Sequence, residues 1–261
     1  MMTKKTPSTR EEFDAMWRAV KESPLAGIYI NELYWLAVRV CGRAEHIFDA
    51  APPGLVTDNY VTVDFDLGDE MYALLSETGR IRQLLTDRGK NGKETRTQYE
   101  MRKRRILWLR DEILGGIKLV ETRNSDVRNT LEHFDEAIDH VSANFAEKAW
   151  PVPALLPWDV IVSKRGVVLA PTVWWLRTYL ADEEVFVNCG QEIDVRAVHR
   201  ECGDIRDRIA AVAPPGDIGE RGGSITALKT PMSVELGADD VVEWRPRRRG
   251  TGGGNRPRPW G

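Results

Sequence analysis

Apolar residues recur through the first half of this chain at spacings of three and four, the mark of helices that each bury one stripe. The regularity is greatest over residues 125–145, where Val127, Leu131, Phe134, Ile138, Val141 and Phe145 follow at intervals of four, three, four, three and four. That pattern predicts one continuous amphipathic helix, capped by Ser125 or Asn124, with all six side chains on its buried side. Upstream, Thr9 and Glu12 have the form of a capping box and predict a first helix over residues 9–22. Pro24 permits a turn. Residues 25–48 read as a longer second helix that buries Ile28, Leu33, Leu36 and Val40 and is stopped by Pro52, Pro53 and Gly54. A third helix is predicted over residues 67–87, with Met71, Leu74, Leu75 and Ile81 on its apolar side. A fourth is predicted over residues 94–120 and is loosened at Gly115 and Gly116, which together cost about 2 kcal/mol relative to alanine. Residues 55–66, β-branched and acidic, read as a loop or one short strand.

Helices of this length joined by short connections bury their stripes most simply as a bundle. The period changes after Trp150. Pro151, Pro153 and Pro157 form a linker, and the runs DVIVS, VVLA, TVWWLRTYL, VFVN and QEIDV predict a small antiparallel sheet or pair of hairpins. Trp174 and Trp175, adjacent in a strand, would face opposite sides, one of them packing sheet on bundle. A last helix is predicted over residues 195–212, and the Gly, Pro and Arg-rich remainder is expected to be disordered. The expected fold class is therefore mainly α: a helical bundle over residues 8–150, a small β-hairpin plus helix module over 151–212 packed on it, and a tail over 213–261.

A chain of 261 residues with 42% hydrophobic content can build a sizeable core. No apolar run approaches the ~18 residues of a membrane span, because Asn31, Glu32 and Arg39 interrupt the best stretch. The start MMTKKTPSTREEF lacks the apolar centre of a signal peptide, so the expectation is a cytoplasmic protein with no membrane partner. Cys41, Cys189 and Cys202 have neither zinc-site spacing nor the even count of a disulfide framework, so reduced thiols, no metal site and no cofactor are expected. His199, Glu201 and Cys202 lie close in sequence, but no glycine elbow accompanies them as a nucleophile would require.

The chemistry-bearing residues sit beside the apolar stripe of residues 125–145. At ~100° per residue, Arg128 falls to one side of it, His133 to the other, and Asn129 opposite the core. The string Arg128, Asn129, Thr130, Leu131, Glu132, His133 resembles the Arg-polar-x-x-x-His signature of the HEPN superfamily, and the flanking Phe134, Asp135 and Glu136 are similar to HEPN helices of bacterial proteins. The resemblance covers roughly residues 10–150. It implies a HEPN-like helical bundle and a metal-independent endoribonuclease of the toxin or antiviral-defence kind, with Arg128 and His133 catalytic and Asn129 supporting. It also implies a homodimer through the motif helix, RNA as substrate, and an antitoxin or other partner protein. In such chemistry an imidazole titrating near neutrality moves a proton to or from a ribose hydroxyl, while a guanidinium holds the phosphate. HEPN toxins paired with a nucleotidyltransferase antitoxin often carry a tyrosine two residues after the histidine, where this chain has Asp135. The HEPN signature allows four to six residues between its Arg and His, so Arg39 and His46, with six between them, match it as well.

The alternative is that Arg128 simply pairs with Glu132 along the helix, which leaves a non-catalytic HEPN-like dimeric scaffold or an RNA-binding or regulatory protein. A basic run, Arg102, Lys103, Arg104 and Arg105, is the candidate nucleic-acid-binding surface. Such a run equally reads as a solvated face paired with acids such as Glu100. Six arginines and no acid after Trp244 could add a weak grip on RNA through charge and stacking.

Overall fold

The computed structural model describes residues 9–56, 61–62, 66–147, 154–167 and 172–213. All of them belong to one compact unit, Met1–Thr226. The expected tail lies outside the described residues, apart from Ala213.

Local signals set the first helices. In α1 (Arg10–Lys21) the Thr9 hydroxyl accepts from Glu12 N–H at 3.2 Å and the Glu12 carboxylate accepts from Thr9 N–H at 3.0 Å, closing the capping box. Helix α2 (Pro24–Ala50) places Pro24 in its first turn, where a missing N–H costs nothing, and stops just ahead of Pro52 and Pro53. It is the centre of the fold: Leu33, Leu36, Ala37, Val40, Ala44 and Ile47 have no exposed surface. Ile28, expected inside, is 53% exposed. Helix α3 (Leu67–Leu85) packs along one side of α2, and the long C-terminal helix packs along another.

Helix α4 (Arg96–Leu107) begins with a second capping box, Thr95 and Gln98, and then widens into a π-helical turn, Trp108–Ile113. The fourth helix therefore ends before Gly115 and Gly116 instead of running to residue 120. Those glycines take φ of 63° and 77°, a left-handed conformation that stops a helix and suits glycine. The π turn carries Trp108 inward, where its ring meets Trp17 edge-on with centroids 5.8 Å apart.

The predicted continuous helix over residues 125–145 is two helices. Helix α5 (Asp126–Glu132) ends and α6 (Phe134–Ala146) begins at His133, whose φ of −118° and ψ of 43° break the helical path. Ser125 precedes α5 without a side-chain cap bond, while Asn124 Oδ1 accepts from Asp126 N–H at 3.0 Å. Of the six stripe residues only Val127 and Val141 are buried, and Phe145 is 73% exposed.

Among the described residues seven short strands follow or intervene: β1 (Val61–Thr62), β2 (Ala154–Leu155), β3 (Val160–Val162), β4 (Thr172–Val173), β5 (Thr178–Leu180), β6 (Val185–Asn188) and β7 (Gln191–Asp194). The main sheet runs β1-β3-β5-β6-β7, with β2 and β4 paired apart from it. It is mixed, not antiparallel as expected, since β3 and β5 run parallel, as do β2 and β4. Of the predicted VVLA strand, Val167 ends a 3-10 turn and the rest lies outside the described residues. Alternation sorts the main sheet's two faces. Ile161, Tyr179, Phe186 and Ile193 join the helical core, while Val162, Leu180 and Val187 form a smaller cluster with Trp175. Trp174 and Trp175 lie between strands, not within one.

Helix α7 (Val195–Val212), capped by Asp194 onto Ala197 N–H at 2.7 Å, returns along α2 and buries Val198, Cys202, Ile205 and Ile209 in the same core. No helix among the described residues is long and apolar enough to cross a membrane.

Candidate functional site at the α5–α6 elbow

Three contacts place the elbow where α5 ends. Thr130 and Asn188 tie α5 to the sheet, the Asn188 amide donating to Thr130 Oγ1 at 3.1 Å. The Arg177 guanidinium lies 4.9 Å from the centre of the Phe134 ring, the first residue of α6. Before the elbow, residues 120–122 are held by Glu201 of α7, whose carboxylate accepts the backbone N–H groups of Val120, Glu121 and Thr122 at 2.7, 3.1 and 2.8 Å. Glu201 is 8% exposed, and three amide donors offset the cost of burying its charge.

On this frame the motif residues separate into three environments. Arg128 donates from Nε and Nη2 to Glu132 Oε1 at 2.9 and 2.7 Å, an ion pair one helical turn long. Its guanidinium also lies against Gly79 of α3, so close that a Cβ there would sit 2.3 Å from Nη1. Asn129 is exposed. His133 stands at the break with a 64% exposed side chain, its Nδ1 3.7 Å from Glu136 Oε1. Asp135 and Glu136 occupy the first turn of α6, where the unpaired N–H groups of a helix start favour negative charge.

A residue missed from the sequence is Arg177. It takes φ of 44° and pairs at 2.6 Å with Asp159, itself at φ 50°. Burial raises the Asp159 carboxyl above the usual carboxylate range, against the opposing pull of Arg177. Two non-glycine residues in left-handed backbone, salt-bridged to each other beside the elbow, form a strained support of the sort that gathers near functional sites. In sequence Arg177 is only one charge within TVWWLRTYL, and no spacing rule marks it.

The basic run is not one surface. Arg102 reaches Glu94 and Asp87 at 2.9 and 3.0 Å and the carbonyl of Gly89. Arg104 pairs with Asp14 and Glu100 and lies over Phe13. Lys103 approaches the Tyr99 ring, and Arg105 turns inward over Tyr29. The second Arg/His spacing is likewise engaged. Arg39 and Arg43 share Glu77, and Arg43 and His46 share Glu70, a ladder that joins α2 to α3.

Near Cys202 no nucleophile is assembled. His199 Nε2 faces Glu45 at 3.1 Å, and burial pushes the Cys202 thiol far up, as it pushes Cys41 up to about 11. All three cysteines are free thiols. Among the described residues no three His, Cys, Asp or Glu side chains are grouped as metal ligands. Comparison with family models, with curated proteins and with solved structures gives no match.

Proposed function

We infer that the α5–α6 elbow is the functional surface and that the chain is a metal-independent endoribonuclease of the HEPN type, acting in the cytoplasm as a homodimer. The observation that carries this reading is the position of His133. An exposed imidazole stands at a break between two helices, on a support built by residues 177, 188 and 201. A histidine there can take the proton of a ribose 2′-hydroxyl as its oxygen attacks phosphorus and the 5′-oxygen leaves, so the products are a 2′,3′-cyclic phosphate and a free 5′-hydroxyl. The departing oxygen needs a proton donor as well, which the second protomer's histidine would supply in a composite cleft.

Arg128 is available to such a phosphate at small cost. A partly exposed i,i+4 ion pair contributes roughly 0.3–0.5 kcal/mol, and a phosphodiester offers a guanidinium two oxygens in the geometry it prefers. Arg177, stacked on Phe134, is a second cation beside the elbow. RNA in excess chelator is the test. Wild type yields cyclic-phosphate ends, and His133→Ala lowers the rate by roughly 10²–10⁴-fold while its circular dichroism and sedimentation are unchanged. Absence of cleavage by wild type, or equal cleavage by both, overturns the reading.

A second reading has its own support. The pairing of Arg128 with Glu132 and the acids Asp135 and Glu136 at the start of α6 give the elbow more negative than positive charge. That arrangement fits a non-catalytic HEPN-like scaffold or regulatory protein that uses the same surface to bind an antitoxin or other protein partner.

A further inference from the structure

A cavity of 1190 Å³ opens between α1, α2, α4, the end of α3 and the turn that joins α3 to α4. Its lining is unlike that of the elbow. Six basic side chains and two acidic ones surround it, and both acids, Glu32 and Glu94, are already paired, with Arg80 and Arg102. Among the described residues, Arg88, Lys90 and Lys93 on the rim form no salt bridge, nor does Arg105 deeper in. The inner wall is apolar: Trp17, Tyr29, Leu36, Leu84 and Met101.

Arg105 carries the argument. Its guanidinium has five N–H donors, yet among the described residues it meets no carboxylate: its neighbours are the Gln83 carbonyl, at 3.2 Å from Nη2, and the Tyr29 hydroxyl, and its buried Nε has no partner. Thr86 Oγ1, which also lines the cavity, is buried and unpartnered. A largely buried cation without a counter-ion is costly, and burial holds the Arg105 pKa below its ordinary value despite the nearby Tyr29 hydroxyl. The Tyr29 ring under the guanidinium, 5.4 Å from its centre, replaces only part of the lost hydration.

We propose that this cavity binds a small amphiphilic organic phosphate, its charged head held by Arg105 and the Lys90 and Lys93 rim and its apolar ring seated on Trp17, Tyr29 and Met101. The cavity is of a size to enclose a drug-sized molecule. The proposal is independent of chemistry at His133, because none of these residues touches the elbow.

Calorimetry on the full chain with 1-naphthyl phosphate, 2-naphthol and inorganic phosphate tests it. Naphthyl phosphate binds at least about tenfold more tightly than either fragment, a gap that corresponds to a single unit in log Kd. The double variant Lys90→Ala, Lys93→Ala alters only exposed side chains. It retains the wild-type Tm, weakens naphthyl phosphate several-fold, and flattens the dependence on salt. Arg105→Met weakens it by about tenfold or more; should that variant not fold, the rim double variant decides. No binding, equal affinity for naphthol and its phosphate, or wild-type affinity in the rim variant overturns the proposal. Displacement of naphthyl phosphate by a short single-stranded oligonucleotide that binds more tightly overturns the assignment to a small ligand in favour of an RNA subsite.

Discussion

Helix α2 and the α5–α6 pair carry similar apolar stripes and meet opposite fates. In α2, six side chains along the stripe have no exposed surface, and helices α3 and α7 cover it on two sides. In α5 and α6 the spacing is the more regular of the two, yet Leu131, Phe134 and Ile138 are half-buried and Phe145 is open to solvent. Periodicity states which side of a helix is apolar; it does not state whether the chain supplies anything to cover that side. The covered stripe joins the main core, and the uncovered one leaves apolar surface in solvent.

The comparison breaks most visibly under truncation. Leu36→Ala, in the middle of α2, should cost about 2–5 kcal/mol, because the surrounding helices cannot close on the space left, and urea denaturation monitored by circular dichroism reads this directly. If the loss is below 1 kcal/mol, α2 is not the organising helix. A smaller effect is expected where the two regions are joined. Glu201→Gln keeps the volume but removes the charge that three amides share, and should cost about 1.5–3 kcal/mol. Hydrogen exchange should then accelerate at Val120, Glu121 and Thr122 before it does in α2; uniform acceleration would mean the carboxylate does not specifically hold this segment. The least stability change belongs to Phe145→Asp, within about 0.5 kcal/mol for a surface site. Sedimentation sharpens the result: if wild type is the homodimer proposed above, loss of the dimer in this variant assigns the open stripe to the protomer interface, and an unchanged dimer places the interface elsewhere.

The parts legible in the sequence were those with local causes. The Thr9 and Glu12 box, the proline stop after α2, the apolar sides of α2 and α3 and the last helix over residues 195–212 all follow from neighbours within a few residues. The break at His133 has no such cause, since neither glycine nor proline is near and the stripe runs through it undisturbed. The contacts around it come from residues 177 and 188, which no periodicity in residues 125–145 can report. Pairing direction failed for a related reason: short β runs announce strands, whereas β3 and β5 are parallel through a connection that their own residues do not encode. Of the candidate site, the exposure of His133 and Asn129 and the possible pairing of Arg128 with Glu132 could be read from helical geometry. The inward turn of Arg105, away from its neighbours in the basic run, could not.

The carboxylate of Glu201 holds residues that precede it by some eighty positions. During synthesis, α2 and α3 can meet while the chain is still growing, but the stretch that leads into the elbow stays untethered until α7 has emerged. A nascent or prematurely terminated chain lacking its last helix would therefore keep the contacts of Arg177 and Asn188 but lack the carboxylate that holds residues 120–122. Those three backbone bonds can close only once translation has passed residue 201.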